Sequence, residues 1–335
     1  MRIALCREAG GLGDVLRAVA PARKLALLGH TVDAFIMEYF AAFTRRVVGL
    51  NHVESIPEKV RWGNRTERRQ HWDTAVERYP YLSWGGRRDK YVNMFCPGWD
   101  HEVATEGRPT LDRTECFFQA AGLDPSEAEA PFIPTSREEY GFGLGLLASH
   151  GVRLDRPIVM FQVFATCKAR AWPETKWLEL AARLKRMGVT PVYVGTRDFP
   201  VFEGPKIVRV PSQHLIAMTA AVDLVAGPDS GMLHLASACR VPTVGLFGPT
   251  DGRLICKHYP DAYVVQGSPV PTREECQPPC HYQYKIGWSP EDCRKTGCPT
   301  LNAVPVADVL DAALTQLATP GPRAAAWRRS PRTKP

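Results

Sequence analysis

No apolar run in the sequence approaches the ~18 residues that a membrane-spanning helix needs, which excludes a helical membrane protein. The start of the chain has no signal-peptide core either. Only Ile3, Ala4 and Leu5 stand between Arg2 and Arg7, which suits a short buried strand. A cytoplasmic protein is expected. The G-x-G-x-x-G fingerprint is missing, so the glycines give little support to a dinucleotide cofactor. Residues 319–335 contain no acid at all, and the close C-x2-C pairs of a tight zinc finger are absent.

What is there is globular in composition. Of 335 residues, 44% are hydrophobic and 23% charged, enough for two domains of ordinary size. The net charge is +7, and most of it lies in Arg323, Arg328, Arg329, Arg332 and Lys334. That tail, 319–335, reads as a basic, disordered end rich in Pro and Ala, or as a contact for nucleic acid or an anionic membrane surface. A second basic stretch, from Arg61 to Lys90, interleaves Arg65, Arg68, Arg69, Arg87 and Arg88 with Trp62, Trp72, Tyr79, Tyr81 and Trp84. It suits an acceptor-binding surface or an irregular insertion packing its own aromatics. Ten cysteines in an intracellular chain argue against a disulfide framework. Cys6, Cys96, Cys116, Cys167, Cys239 and Cys256 are scattered and read as small buried hydrophobes.

Apolar periodicity predicts a strand over Arg2–Cys6, a glycine turn, a helix carrying Val15, Val19, Ala22 and Ala26 on one face, and a strand over Thr31–Met37. This is a βαβ unit and implies parallel pairing. Beyond the aromatic stretch a strand is expected at Tyr91–Phe95 and a helix near Leu111–Ala121, and Gly122–Ser136 leads to a linker. Further strands are expected at Ile158–Phe161, Pro191–Gly195, Ile207–Val210, Asp223–Ala226 and Thr243–Phe247, and a final helix at Val306–Leu317. The fold class is α/β, with two Rossmann-like domains at 1–150 and 151–318. Their glycines cluster at the carboxyl ends of strands, where open α/β sheets take ligands.

Three turns could carry chemistry. In Gly10-Gly11-Leu12-Gly13-Asp14 the glycines let backbone N–H groups approach an anion or a sugar. Asp14 there is either a helix cap or a general base. In Asp229-Ser230-Gly231-Met232-Leu233-His234 the first two residues would cap a helix and Gly231 would admit a phosphate. His234 would face a ligand or the core. Lys168, Arg170 and Trp172 precede Pro173 at a third turn, where two cations beside an aromatic platform would suit a diphosphate.

The combination of Gly13-Asp14-Val15-Leu16, Arg170-Ala171-Trp172-Pro173, Asp229-Ser230-Gly231-x-x-His234-Leu235-Ala236 and Phe247-Gly248-Pro249-Thr250-Asp251 resembles the ADP-heptose lipopolysaccharide heptosyltransferases. The resemblance runs from about residue 1 to 317. It implies a GT-B fold with a cleft between two domains, an acceptor in the first and a nucleotide sugar in the second. It also implies inversion at the anomeric carbon without a catalytic metal. By the same resemblance Asp14 matches the proposed base. Asp229, Ser230 and Gly231 match the diphosphate loop and Arg170 a basic position; with Gly11, Gly13, Lys168, Trp172 and His234 from the turns above, these are the expected donor-binding residues. Arg170 stands where lysine is usual. The stretch from Arg61 to Trp99 does not match, which leaves open both the sugar and whether the acceptor is a glycan, lipid, protein or nucleic acid. An ADP-sugar is the favoured donor, heptose the favoured sugar, and a homo-oligomer is possible. A nucleotide-sugar epimerase and a non-enzymatic nucleotide-sugar or nucleic-acid binding protein are the alternatives.

Cys276-x3-Cys280-x12-Cys293-x4-Cys298 lies in a polar loop, 267–300. Two thiol pairs at this spacing can close a tetrahedral S4 site for structural zinc or iron, or stay a silent thiol cluster or disulfides. Among the family's autotransporter heptosyltransferases such a finger binds iron.

Overall fold

The computed structural model describes residues 1–7, 10–56, 88–94, 97–105, 108–269, 280, 293 and 296–318. The chain divides into two compact units, Met1–Thr105 with Pro109–Pro134, and Glu106–Arg108 with Thr135–Pro335.

The first unit holds a parallel four-stranded sheet in the order β3-β2-β1-β4. Its strands are β1 (Arg2–Arg7), β2 (Thr31–Met37), β3 (His52–Ile56) and β4 (Lys90–Asn93). Ile3, Leu5 and Val32 enter one core with Ala18, Ala22, Leu25 and Phe117. That continuous apolar β1 is what a strand covered on both faces requires. The single helix expected after β1 is two, α1 (Leu12–Ala18) and α2 (Pro21–Leu27). Pro21 has no N–H for a continuing helix but suits the first turn of a new one. Helices α3 (Glu38–Thr44), α4 (Pro97–Ala104) and α5 (Arg113–Ala121) complete the unit. Asp112 caps α5 in a reciprocal box, accepting from the Glu115 N–H at 2.8 Å while its own N–H donates to Glu115 at 2.7 Å.

The second unit begins with α6 (Arg137–Ser149), which packs on α8 (Ser212–Ala220). A Cβ on Gly143 would stand 2.2 Å from the carbonyl oxygen of Ala217, so only glycine permits this approach. Six parallel strands follow in the order β10-β9-β8-β5-β6-β7. They are β5 (Ile158–Gln162), β6 (Thr190–Gly195), β7 (Lys206–Val208), β8 (Leu224–Pro228), β9 (Thr243–Phe247) and β10 (Ala262–Gln266). Helices α7 (Glu174–Arg186), α9 (Gly231–Ala238), α10 (Gly252–Ile255), α11 (Pro299–Ala303) and α12 (Val306–Ala318) complete the order. Val159, Phe161, Trp177, Leu224, Leu246 and Val309 share the core. Among the described residues no helix is long and apolar enough to cross a membrane. The basic stretch at 57–87 and the tail at 319–335 lie outside the described residues.

Candidate functional site

In the first sheet the chain runs from β1 to β2 and β3, then returns to pair β4 with the other side of β1. The carboxyl ends of β1 and β4 therefore flank a switch point, the place where open α/β sheets bind ligands. Arg7 closes β1, and its Nη1 donates to the Met94 carbonyl, just past β4, at 2.5 Å. Asp14 stands in the first turn of α1, directly after β1.

Both oxygens of Asp14 are held. Oδ2 accepts from the Gly11 N–H at 3.2 Å, and Oδ1 accepts from Arg113 Nη1 at 2.6 Å. Arg7 Nη2 lies 3.9 Å from Oδ1. Burial favours the neutral acid, but Arg113, Arg7, the Gly11 N–H and Arg17 together outweigh it and hold the carboxyl well below the usual carboxylate range. The side chain stays 26% exposed. Gly10, at φ +117°, makes this turn possible, since a Cβ there would meet Arg7 at 2.7 Å and Asp14 at 3.0 Å. Gly11 has open space where a side chain would stand, and Gly13 is buried inside α1.

The second sheet repeats the device. The chain leaves β5 towards β6 and β7, then returns to place β8 on the other flank of β5. Arg170, on a short 3-10 turn (Lys168–Arg170) after β5, reaches across that switch point. Its Nη1 donates to the Asp229 carbonyl at 3.1 Å and pairs with Oδ2 at 3.3 Å, and Nη2 donates to Thr166 at 2.7 Å. Helix α9 then starts at Gly231 with no side-chain cap. Ser230 Oγ is buried without a hydrogen-bond partner among the described residues. An uncapped helix N-terminus beside a fixed guanidinium and an unsatisfied hydroxyl is an arrangement for an anion. Lys168 is exposed on the same turn.

His234 is buried on α9, where its Nδ1 shares a hydrogen bond with the Tyr259 hydroxyl and its Nε2 lies 3.9 Å from Asp229 Oδ1. It therefore bears on the loop through Asp229. The structure corrects the reading of Trp172 as a ligand platform. Its ring is 1% exposed, packs edge-on to Trp177 and donates from Nε1 to the Val304 carbonyl at 3.3 Å. The Lys176 ammonium lies over the ring, 5.9 Å from its centroid. Arg88, at the end of the basic aromatic stretch, also turns inward, pairing with buried Asp33 at 2.9 Å over the Phe35 ring.

Of the cysteine finger, Cys280, Cys293 and Cys298 are described and buried, while Cys276 lies outside the described residues. Cys293 packs against Cys167 and Ala169, and Cys298 Sγ lies 3.0 Å from Thr300 Oγ1. Among the described residues no three sulfurs lie mutually within 4.8 Å. The thiol chemistry suits a soft metal, but binding one would have to draw these sulfurs together.

Sequence reasoning missed the partners that make the two sites. Arg113 follows the Asp112 cap of α5, and Tyr259 stands just before β10. Neither residue sits in a local motif that marks it.

Comparison with known proteins agrees with the resemblance in the motifs. Residues 212–285 match the model of glycosyltransferase family 9 (heptosyltransferase). Lipopolysaccharide heptosyltransferase 1 of Salmonella typhimurium is 24% identical over 184 residues, 52% of this chain and 55% of that protein. The chain thus spans about half the length of the curated relatives it matches. Among solved structures, the E. coli ADP-heptose lipopolysaccharide heptosyltransferase II superposes with a TM-score of 0.67 at 16% identity, covering 95% of this chain and 99% of that one. The iron-containing dodecameric glycosyltransferase TibC of enterotoxigenic E. coli superposes at 0.58 with 15% identity, covering 95% and 76%. The fold is the α/β GT-B fold of these glycosyltransferases.

Proposed function

We propose that the chain is an inverting glycosyltransferase that moves a sugar, heptose first among the candidates, from an ADP-sugar to an acceptor hydroxyl without a catalytic metal. The observation that carries the reading is the anion-ready end of the second sheet, where Arg170 crosses to Asp229 beside the uncapped start of α9 and the unsatisfied Ser230 hydroxyl. A donor diphosphate placed there would receive the α9 N–H groups, Arg170 and, at the rim, Lys168. These groups stabilise the charge that develops as the sugar leaves. The names of the related proteins, which bind ADP-heptose or act on lipopolysaccharide, support the choice of nucleotide and sugar.

Asp14 takes the proton of the acceptor hydroxyl. The freed oxygen attacks the anomeric carbon opposite the diphosphate, the carbon–oxygen bond to the β-phosphate breaks, and its electron pair leaves on the diphosphate. Asp14 is ionised, partly exposed and fixed at both oxygens. Its lowered pKa makes it a weak base, so orientation of the carboxylate against the acceptor hydroxyl is what it contributes. Gly11, with open space where a side chain would stand, leaves room for a substrate beside it, while Gly13, buried inside α1, serves the helix. A structural zinc or iron on Cys276, Cys280, Cys293 and Cys298 belongs to the same reading, by analogy with the iron-containing TibC. A cytoplasmic location fits a nucleotide-sugar donor.

A thermal-shift screen against ADP-, UDP-, GDP- and TDP-sugars tests the reading. ADP-heptose should raise the melting temperature most and in a concentration-dependent way, since a ligand stabilises by mass action. No shift with any nucleotide sugar would overturn it.

A further inference from the structure

We propose that Arg113 is the positioning residue of Asp14: clamped by Glu102, it fixes the accepting edge of the carboxylate that takes the acceptor's proton. The inference rests on the reading of Asp14 as the base. A guanidinium is a planar fork with donors in fixed directions. Arg113 spends one edge on Glu102, with Nε donating to Oε1 at 2.7 Å and Nη2 to Oε2 at 3.1 Å. That leaves Nη1 aimed at Asp14 Oδ1, 2.6 Å away. Glu102 is itself buried on α4, so the fork cannot swing freely. The Gly11 N–H holds the other oxygen. Two donors from different elements thus fix the carboxylate plane, and the proton must arrive on the lone pairs left open.

Among the described residues the charged groups facing Asp14 are Arg113 from α5, Arg7 from β1 and Arg17 from its own helix. Arg7 is anchored on the Met94 carbonyl, and Arg17 on Asp112 at 2.7 Å. Arg113 makes a short, direct hydrogen bond to the carboxylate and is held by a partner of its own, Glu102. It resists protonation of Asp14, yet once the proton has arrived it favours its loss to solvent and so resets the base. A merely structural arginine would lower the titration of Asp14 as well, but its loss would leave the kcat of the folded protein unmoved, so kcat and its partial rescue by lysine are the deciding readouts.

The test compares wild type, Arg113→Gln, Arg113→Lys and Asp14→Asn in the full chain. Carboxyl carbon NMR with labelled aspartate follows the titration of Asp14, whose signal is assigned by its loss in Asp14→Asn. Release of nucleoside diphosphate, with water as acceptor, is measured against pH using the nucleotide sugar that gives the largest thermal shift. In Arg113→Gln the Asp14 signal should titrate at higher pH and the acid limb of kcat/KM should move the same way. The kcat should fall about 10-fold from lost orientation with the donor-induced thermal shift unchanged, and Arg113→Lys should recover part of the loss. If Arg113→Gln does not fold, Arg113→Lys carries the same test with smaller shifts in the same directions. An inactive Asp14→Asn beside an Arg113→Gln variant that folds and keeps the wild-type kcat overturns the positioning role alone, even where the Asp14 titration moves. Wild-type turnover in Asp14→Asn overturns the base reading, and this inference with it.

Discussion

Arg170 Nη1 lies 3.1 Å from the carbonyl oxygen of Asp229 and 3.3 Å from its Oδ2, so one side chain joins the turns after β5 and β8 where the sheet reverses its strand order. A third contact, to Thr166, fixes the guanidinium before any ligand arrives. Arg170→Ala should therefore weaken nucleoside diphosphate binding by roughly 1.5–3 kcal/mol, the range for a charge-assisted contact. Lys168→Ala, on an exposed side chain, should cost less. Isothermal titration with ADP decides both, and equal affinity in wild type and Arg170→Ala would remove Arg170 from the site.

Ser230 calls for an effect of opposite sign in the two states. Its buried hydroxyl lacks a partner among the described residues, so replacing it with alanine removes a polar group that burial penalises. Ser230→Ala without ligand should melt at or slightly above the wild-type temperature, yet bind ADP several-fold more weakly, as loss of one hydrogen bond of about 1 kcal/mol implies. Melting curves with and without ADP give both numbers. An unchanged ADP affinity would assign the hydroxyl to the fold alone.

The core role of Trp172 predicts a stability effect without a binding effect. Trp172→Ala should lose roughly 3–5 kcal/mol in urea unfolding, while folded protein keeps its ADP affinity. A loss of affinity with full stability would return the ring to the site.

Much of this architecture is legible in the sequence, and the exceptions have physical causes. Strands β2 and β9 occupy the expected residues because each is an apolar run closed by turn formers, Gly29 and His30 before one and Gly248-Pro249 after the other. Strands β3 and β10 were not legible. Both are edge strands with partly exposed residues; β3 shows no continuous or cleanly alternating pattern, and β10 offers only the short run Ala262–Val265. Helix α6 is masked by Gly141, Gly143 and Gly145, poor helix formers, of which Gly143 is required by the approach to α8. The motifs marked Asp14 and Arg170 but not what holds Asp14, because Arg113 is 99 residues away and tertiary structure alone brings the two together. Trp172 misled for the converse reason, since an aromatic beside a basic turn looks the same in sequence whether it faces ligand or core.

The cysteine finger predicts a metal content. Protein purified without chelator should carry about one zinc or iron per chain, following the preference of four thiolates for a soft ion. Cys280→Ser should release it and loosen the loop, with both sheets still folded and turnover lowered only indirectly. Neither element at stoichiometric level would refute the site, and loss of chemistry on chelation with the loop still ordered would make the metal catalytic.

The most direct test of the account is turnover in Asp14→Asn. Asparagine keeps the size of the side chain and an acceptor for Arg113, but cannot take a proton. The nucleotide-sugar thermal shift should persist, while release of nucleoside diphosphate in the presence of acceptor should fall about 10²-fold or more, as loss of a general base requires. Turnover near the wild-type rate in that variant would leave Asp14 a helix cap and contradict the mechanism.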